Sequence, residues 1–189
     1  MVEIELKPEE FATEVTLIAE LVMQMAYSST GEIPAESGED ELKLLKRAVQ
    51  WAYREEGNDA EMKTVDRYLR EFPAHEDVAD FREAGQEAQG EKQIRDRLVG
   101  HARGLSWKIT DFVDGHYKDW FNGRSRFDIQ TDRFVVLELE ELKGRKHLQQ
   151  VVLLQLIYQI QQAMFLGDRE QPKLVIIDEA WDLLTQGDV

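Results

Sequence analysis

The chain has 189 residues, of which 42% are hydrophobic and 32% are charged, a balance that indicates a globular protein and excludes a disordered one. Its net charge of -15 opposes contact with phosphate backbones, so we expect no direct nucleic acid binding by this segment. The chain contains no cysteine, which excludes disulfides and thiolate metal sites.

The first two thirds of the chain predict a helical subdomain. Apolar residues recur every three or four positions in four stretches, which places them on one face of a helix in each case. The four stretches are residues 11–25, 42–52, 62–72 and 94–105. Gly57 predicts the end of the second helix, and Pro73 predicts the end of the third. We expect this subdomain to occupy residues 1–110.

From residue 111 onward the pattern predicts a different, α/β organisation. Residues 134–139 and 174–177 are short apolar runs rich in β-branched side chains, typical of buried strands. Residues 145–166 predict a helix between them, apolar nearly all round and therefore covered on both sides. Strand, helix and strand in this order predict a parallel βαβ unit with a right-handed crossover.

Two adjacent acids, Asp178 and Glu179, follow the second predicted strand. Parallel sheets carry their chemistry at the carboxyl ends of the strands. Four apolar residues followed by Asp-Glu is the Walker B pattern of nucleotide hydrolases. The first acid can hold Mg²⁺, and the second can orient and deprotonate the water that attacks the γ-phosphate. The alternative is a strand end that meets solvent, with Glu179 capping the following helix.

The partner motif of a Walker B strand is missing from this sequence. No G-x-x-x-x-G-K-[ST] motif occurs, so no residue here is predicted to bind the nucleotide phosphates. A two-stranded parallel sheet is also incomplete as an independent structure. We therefore expect a fragment of a larger ATPase whose P-loop lies upstream of Met1, and we expect the chain alone to be inactive. Unpaired strands should self-associate or stay locally disordered.

Three segments of the C-terminal part closely resemble the TraC-type ATPases of F-like conjugative type IV secretion systems. They are residues 134–145 (FVVLELEELKGR), 148–154 (LQQVVLL) and 174–184 (LVIIDEAWDLL). The resemblance covers roughly residues 117–189 and is loose in the helical part. It implies a helical segment (1–110) inserted in an ATPase core, followed by part of a RecA-like P-loop NTPase core (111–189) with an incomplete sheet. It also implies Asp178 as the Mg²⁺ ligand and Glu179 as the catalytic base.

The same resemblance implies a function and a setting. The parent protein would bind ATP and Mg²⁺ and hydrolyse ATP to power pilus assembly and DNA transfer. It would act as a homo-hexamer, cytoplasmic and peripheral at the inner face of the bacterial inner membrane, in contact with inner-membrane components of the secretion system. Two alternatives stay open: a DNA-pumping coupling ATPase, and a non-enzymatic interaction module that docks partners in the secretion channel.

Other residues have both a functional and a structural interpretation. Three acids follow the first predicted strand: Glu138, Glu140 and Glu141. Glu138 can lie near the nucleotide, but a strand end that enters solvent is the favoured interpretation. Three arginines precede that strand and can include an arginine finger or be solvated: Arg124, Arg126 and Arg133. Three aromatic residues are expected to anchor a core rather than form a partner surface: Tyr117, Trp120 and Phe121. The histidines lack metal-ligand spacing, and His101 is expected to be packed.

Overall fold

The computed structural model of the chain describes residues 8–28, 33–35, 38–75, 81, 90–123, 134–166 and 174–178. The chain divides into two compact units, Met1–Ser125 and Arg126–Val189, which we call the helical unit and the C-terminal unit. The boundary predicted after residue 110 is a different one, because it separates the inserted helical segment from the ATPase core of the parent protein. That boundary stays a prediction.

The helical unit contains the four helices that the apolar periodicity predicts. They are α1 (Pro8–Tyr27), α2 (Gly38–Glu56), α3 (Met62–His75) and α4 (Glu91–Lys108). Helix α1 begins at a proline followed by two acids, an arrangement that suits a first turn because proline loses no hydrogen bond there and acids complement the helix dipole.

These four helices pack into one core. Helix α1 packs on α2, α2 packs on α3 and α4, and α3 packs on α4. The side chains that are fully or almost fully buried come from all four helices: Val15, Val22, Leu44, Leu45, Val49, Tyr68, Leu69, Phe72, Leu98 and Leu105. Each amphipathic helix therefore covers the apolar faces of its neighbours, and burial of these faces is the main driving force for this unit.

The helix ends follow local backbone chemistry with one exception. Gly57 has a φ of 58°, a left-handed conformation that glycine adopts readily, and it ends α2 as predicted. Helix α3 runs to His75, so the prediction that Pro73 ends it is two residues early. Proline disfavours continuation of a helix because it lacks an N–H group and its ring crowds the preceding turn, and α3 includes Pro73 within its last turn.

A compact corner follows α4. Two one-turn helices, α5 (Thr110–Val113) and α6 (Lys118–Phe121), are joined to α3 by the side chain of Asn122. Its Oδ1 accepts a hydrogen bond from the backbone N–H of Lys63 (3.1 Å), and its Nδ2 donates to the carbonyl oxygen of Phe112 (2.8 Å). One amide side chain thus satisfies backbone groups from two parts of the unit.

The C-terminal unit is built around helix α7 (Lys146–Leu166), which confirms the helix predicted over residues 145–166. A short 3-10 turn, Glu140–Leu142, precedes it. Leu148 and Val151 are fully buried, whereas Leu154, Ile157 and Met164 are exposed. The expectation that α7 is covered on both sides is therefore wrong for this chain.

The predicted α/β fold class is wrong. All regular secondary structure in the described part of the chain is helical, so it contains no parallel βαβ unit and no RecA-like sheet. Residues 134–139 and 174–177, the two predicted strands, have no regular structure. A strand is stable only when a neighbouring strand satisfies its backbone N–H and C=O groups, and neither segment pairs with another described segment.

Candidate functional site

The second apolar segment leads directly to the first predicted site residue. Leu174, Val175, Ile176 and Ile177 are exposed by 84%, 42%, 81% and 53%. Asp178 follows them in a turn and is also exposed. Its carboxylate is therefore accessible to solvent at the end of an apolar segment without regular secondary structure. Glu179, the predicted catalytic base, lies outside the described residues.

The accessibility of Asp178 fits the type of metal that the Walker B pattern predicts. Mg²⁺ usually keeps several water ligands and takes one or two carboxylates, so an exposed acid can hold it directly or through its water shell. Among the residues that the structure describes, no cluster of three or more histidine, aspartate or glutamate side chains is arranged to enclose a metal ion. The role of Asp178 as a Mg²⁺ ligand stays a prediction.

The first apolar segment is exposed in the same way. Phe134, Val136 and Leu137 are exposed by 86%, 66% and 43%. Glu138, Glu140 and Glu141 are exposed as well, and the Glu140 carboxylate lies 3.8 Å from the ammonium group of Lys143. These positions agree with solvated acids. The arginines Arg124, Arg126 and Arg133 lie outside the described residues.

The aromatic residues near the end of the helical unit separate into two groups. The rings of Tyr117 and Phe121 pack against the buried ring of Phe112, with centroid distances of 5.4 Å and 5.2 Å. The core-anchor prediction is confirmed for these two. Trp120 is 54% exposed, so the same prediction is wrong for it.

The structure also shows a polar cluster that the sequence interpretation missed. Glu41 on α2 is 3% exposed, and its Oε2 accepts a 2.5 Å hydrogen bond from the hydroxyl of Tyr27 on α1. The ammonium group of Lys108 on α4 lies 2.5 Å from the same hydroxyl and 3.6 Å from Glu41 Oε1. His101 Nδ1 lies 3.4 Å from that oxygen. We call these four residues the buried polar cluster.

The sequence contained a signal for this cluster. Glu41 falls on the buried face of α2, four residues before Leu45 and seven before Ala48. Lys108 continues the apolar stripe of α4, three residues after Leu105. An acid and a base at core positions of neighbouring helices indicate a buried ion pair, because an isolated charge there is strongly unfavourable.

Burial and the neighbouring carboxylate both affect the acidity of the phenol in this cluster. Burial raises the pKa of Tyr27 above its ordinary value near 10, the hydrogen bond to Glu41 raises it further, and Lys108 opposes the shift. Glu41 and Tyr27 are too deeply buried to meet a substrate. The cluster therefore has a structural role, since its side chains join α1, α2 and α4. The side chain of His101 is 22% exposed, which confirms the prediction that it is packed. His116 is exposed, and the side chains of His75 and His147 lie outside the description.

Comparison with known proteins identifies the family. A model of the TraG P-loop domain matches residues 62–189, which is more than half of the chain and includes α3, α4 and both predicted Walker B acids. Neither the curated proteins nor the solved structures contain a match. Among the described residues, no helix has the length and apolarity that crossing a membrane requires. The chain belongs to the TraG P-loop domain family, a family of conjugative-transfer NTPases.

Proposed function

We propose that this chain supplies the Walker B acids of an ATPase that powers pilus assembly and DNA transfer in conjugation. The family match over residues 62–189 is the observation that supports this function most directly, since it extends through Asp178 and Glu179. The three segments that resemble TraC-type ATPases support the finer assignment to that type, because one of them, residues 174–184, contains the same two acids.

The two acids have different roles in the proposed reaction. Asp178 is exposed, and its carboxylate would hold Mg²⁺. Held there, Mg²⁺ would supply charge neutralisation at the phosphate oxygens. Glu179 orients the attacking water and accepts its proton as the general base. Adjacent positions in the chain allow the two carboxylates to project differently and to perform separate tasks.

The remaining parts of the nucleotide site come from outside this sequence. No residue here forms a Walker A loop, so we propose that another part of a longer protein holds the β- and γ-phosphates. We further propose that the protein acts as a homo-hexamer at the cytoplasmic face of the inner membrane, together with inner-membrane secretion components. The high negative charge of this segment agrees with protein partners better than with DNA.

The test is a Glu179→Gln substitution in the full-length protein. Glutamine preserves size and hydrogen bonding but cannot accept the proton, so ATP binding should persist while hydrolysis falls by about 10²–10⁴. Conjugation frequency should fall with hydrolysis. The matched control is Glu141→Gln, which neutralises an exposed acid outside the proposed site. Wild-type hydrolysis in the Glu179 variant would remove this residue from the mechanism.

A companion variant tests the other acid. Asp178→Ala should weaken the Mg²⁺-dependent part of nucleotide binding, which a titration of ATP binding at several Mg²⁺ concentrations measures. An unchanged Mg²⁺ response would contradict the assignment. The rate of ATP hydrolysis with and without added DNA distinguishes the proposed enzyme from the DNA-pumping alternative. DNA should stimulate hydrolysis by a coupling ATPase and should not stimulate hydrolysis by the proposed enzyme.

A further inference from the structure

The apolar face of helix α4 can pack in more than one position along the helix axis. Its buried side chains recur at steps of four, four and three residues: Ile94, Leu98, Ala102 and Leu105. A shift of α4 by one turn toward its N-terminus replaces these side chains, in order, by Leu98, Ala102, Ser106 and Ile109. All four replacements are apolar or small, and hydrophobic contact is not directional. Apolar packing therefore separates the two positions only by side-chain size.

A hydrogen bond that links α4 to α3 tolerates the same shift. Ser106 Oγ donates a 2.5 Å hydrogen bond to Oδ1 of Asp66, whose side chain is 7% exposed. After a shift of one turn, Thr110 occupies the place of Ser106 and offers an equivalent hydroxyl group. This link therefore leaves both positions of α4 open.

The buried polar cluster does not tolerate the shift. Glu41 Oε1 lies 3.4 Å from Nδ1 of His101 and 3.6 Å from Nζ of Lys108. A displacement of one turn puts Leu105 in the place of His101. It also puts Phe112 in the place of Lys108. Glu41 would then face two apolar side chains of α4, and a buried carboxylate without a cation is strongly unfavourable.

We propose that the buried polar cluster is a register lock, which excludes the one-turn shift of α4 that the apolar face tolerates. Well-packed apolar side chains of similar volume often stabilise a protein as much as a buried ion pair does. Stability alone therefore does not account for a carboxylate at the 3% exposure of Glu41. A single polar group at a helix contact can fix the register of the two helices at a cost in stability. The cluster has this property with respect to α4.

The register of α4 determines where the compact corner lies. Lys108 is the last residue of α4, and α5 begins at Thr110. Four residues of helix rise about 6 Å, so a shifted α4 would carry the start of the corner by that distance. The hydrogen bond from the backbone N–H of Lys63 to Asn122 opposes the shift only weakly, because it is exposed and water can replace it. This inference does not depend on nucleotide chemistry and holds or fails separately from the proposed function.

The distance between two spin labels measures the register. The chain has no cysteine, so Lys63→Cys on α3 and Lys92→Cys on α4 place labels at two exposed positions. Ser106 contacts Asp66, one turn from the first label, and lies about 21 Å along α4 from the second label. The measured distance therefore runs mainly along α4. It should lengthen by about 6 Å when α4 shifts by one turn toward its N-terminus.

The double variant Glu41→Leu/Lys108→Leu tests the lock, because it removes two opposite charges together and leaves neither of them unpaired. We expect it to keep its helix content, measured by circular dichroism. It should show a second, longer distance in at least about one tenth of the molecules, whereas the wild type shows one distance. The matched control is Asp66→Asn/Ser106→Ala, which removes another buried polar link of α4 and should show the wild-type distance alone.

A second variant decides the question if leucine at these positions prevents folding. Glu41→Gln/Lys108→Gln removes both charges but keeps side chains that can hydrogen-bond to Tyr27, and it should give the same longer distance. If the folded leucine variant, or the glutamine variant where the leucine variant does not fold, keeps the wild-type distance alone, the proposal is overturned. Unfolding of both variants also overturns it, because the cluster would then supply stability and not register. The longer distance in the control variant would overturn it too, since the shift would not depend on Glu41.

Discussion

The helical unit and the C-terminal unit both contain long apolar stretches, yet only the first buries most of them. Phe72 on α3 is completely buried, whereas Phe134 in the C-terminal unit is 86% exposed. A helix satisfies its own backbone and needs only a neighbour for its apolar face. An extended segment needs partners for its backbone and for both faces. The comparison indicates that amphipathic helices complete their core with each other, while apolar extended segments depend on chain that pairs with them.

The largest expected effect tests this contrast with one substitution made in both units. Phe72→Ala should destabilise the helical unit by about 3–5 kcal/mol, because it removes a buried ring that packs against Tyr68 and Phe81 and leaves a cavity. Phe134→Ala should change stability by less than about 0.5 kcal/mol, since the ring is already in water. Urea unfolding followed by circular dichroism measures both. Equal losses would mean that the two units bury apolar surface to the same extent.

The same contrast explains which parts of the fold could be predicted from sequence. The four helices of the helical unit were predicted because their hydrogen bonds and apolar periodicity are local. Met62, Val65, Leu69 and Phe72, the predicted face of α3, are all buried. The strands could not be predicted reliably, because composition at residues 134–139 and 174–177 shows a need for partners but not whether partners are present.

The candidate site follows the same division. A local pattern of four apolar residues and two acids identified Asp178 and Glu179 as candidate site residues. The structure places Asp178 at the surface. Its role remains a prediction because it requires phosphate-binding residues that this sequence does not contain. The buried polar cluster was missed for a different reason. It joins residues that are far apart in sequence, and periodicity treats Glu41 and Lys108 only as interruptions of apolar faces.

A second prediction compares two acids of helix α2 in the helical unit. Glu41→Gln should reduce stability by about 1–3 kcal/mol, because it removes a buried charge whose partners are Tyr27, His101 and Lys108. Glu39→Gln is the matched control, since its carboxylate is exposed and only forms a surface pair with Lys43 at 2.7 Å. The same unfolding assay should detect no change for the control. If both variants behave alike, the buried polar cluster does not stabilise the unit.

The smallest expected effect is a loss of stability at alkaline pH that is confined to the helical unit. Burial, followed by hydrogen bonding to Glu41, raises the pKa of Tyr27, and burial together with Glu14 raises the pKa of Tyr53. In the unfolded chain both phenols titrate near their ordinary value of 10. As the pH rises past this value, the unfolded state releases protons that the folded state keeps. The contribution of these two phenols to the stability of the folded state is therefore fully present below pH 10 and declines above it.

Tyr27→Phe and Tyr53→Phe should each reduce the slope of this decline, because phenylalanine has no proton to release. The double variant should reduce it most.

Hydrogen exchange resolved by segment locates the effect. Amides of α1 and α2 should lose protection between pH 9 and pH 11 in the wild type and lose less in the double variant, after correction for the intrinsic exchange rate. Amides of residues 134–139 and 174–177 have no regular structure to lose and should follow the intrinsic rate throughout. If the stability of the wild-type helical unit does not change across this range, folding does not hold the phenols in their protonated form. If residues 134–139 and 174–177 lose protection together with α1 and α2, the division between the two units is contradicted.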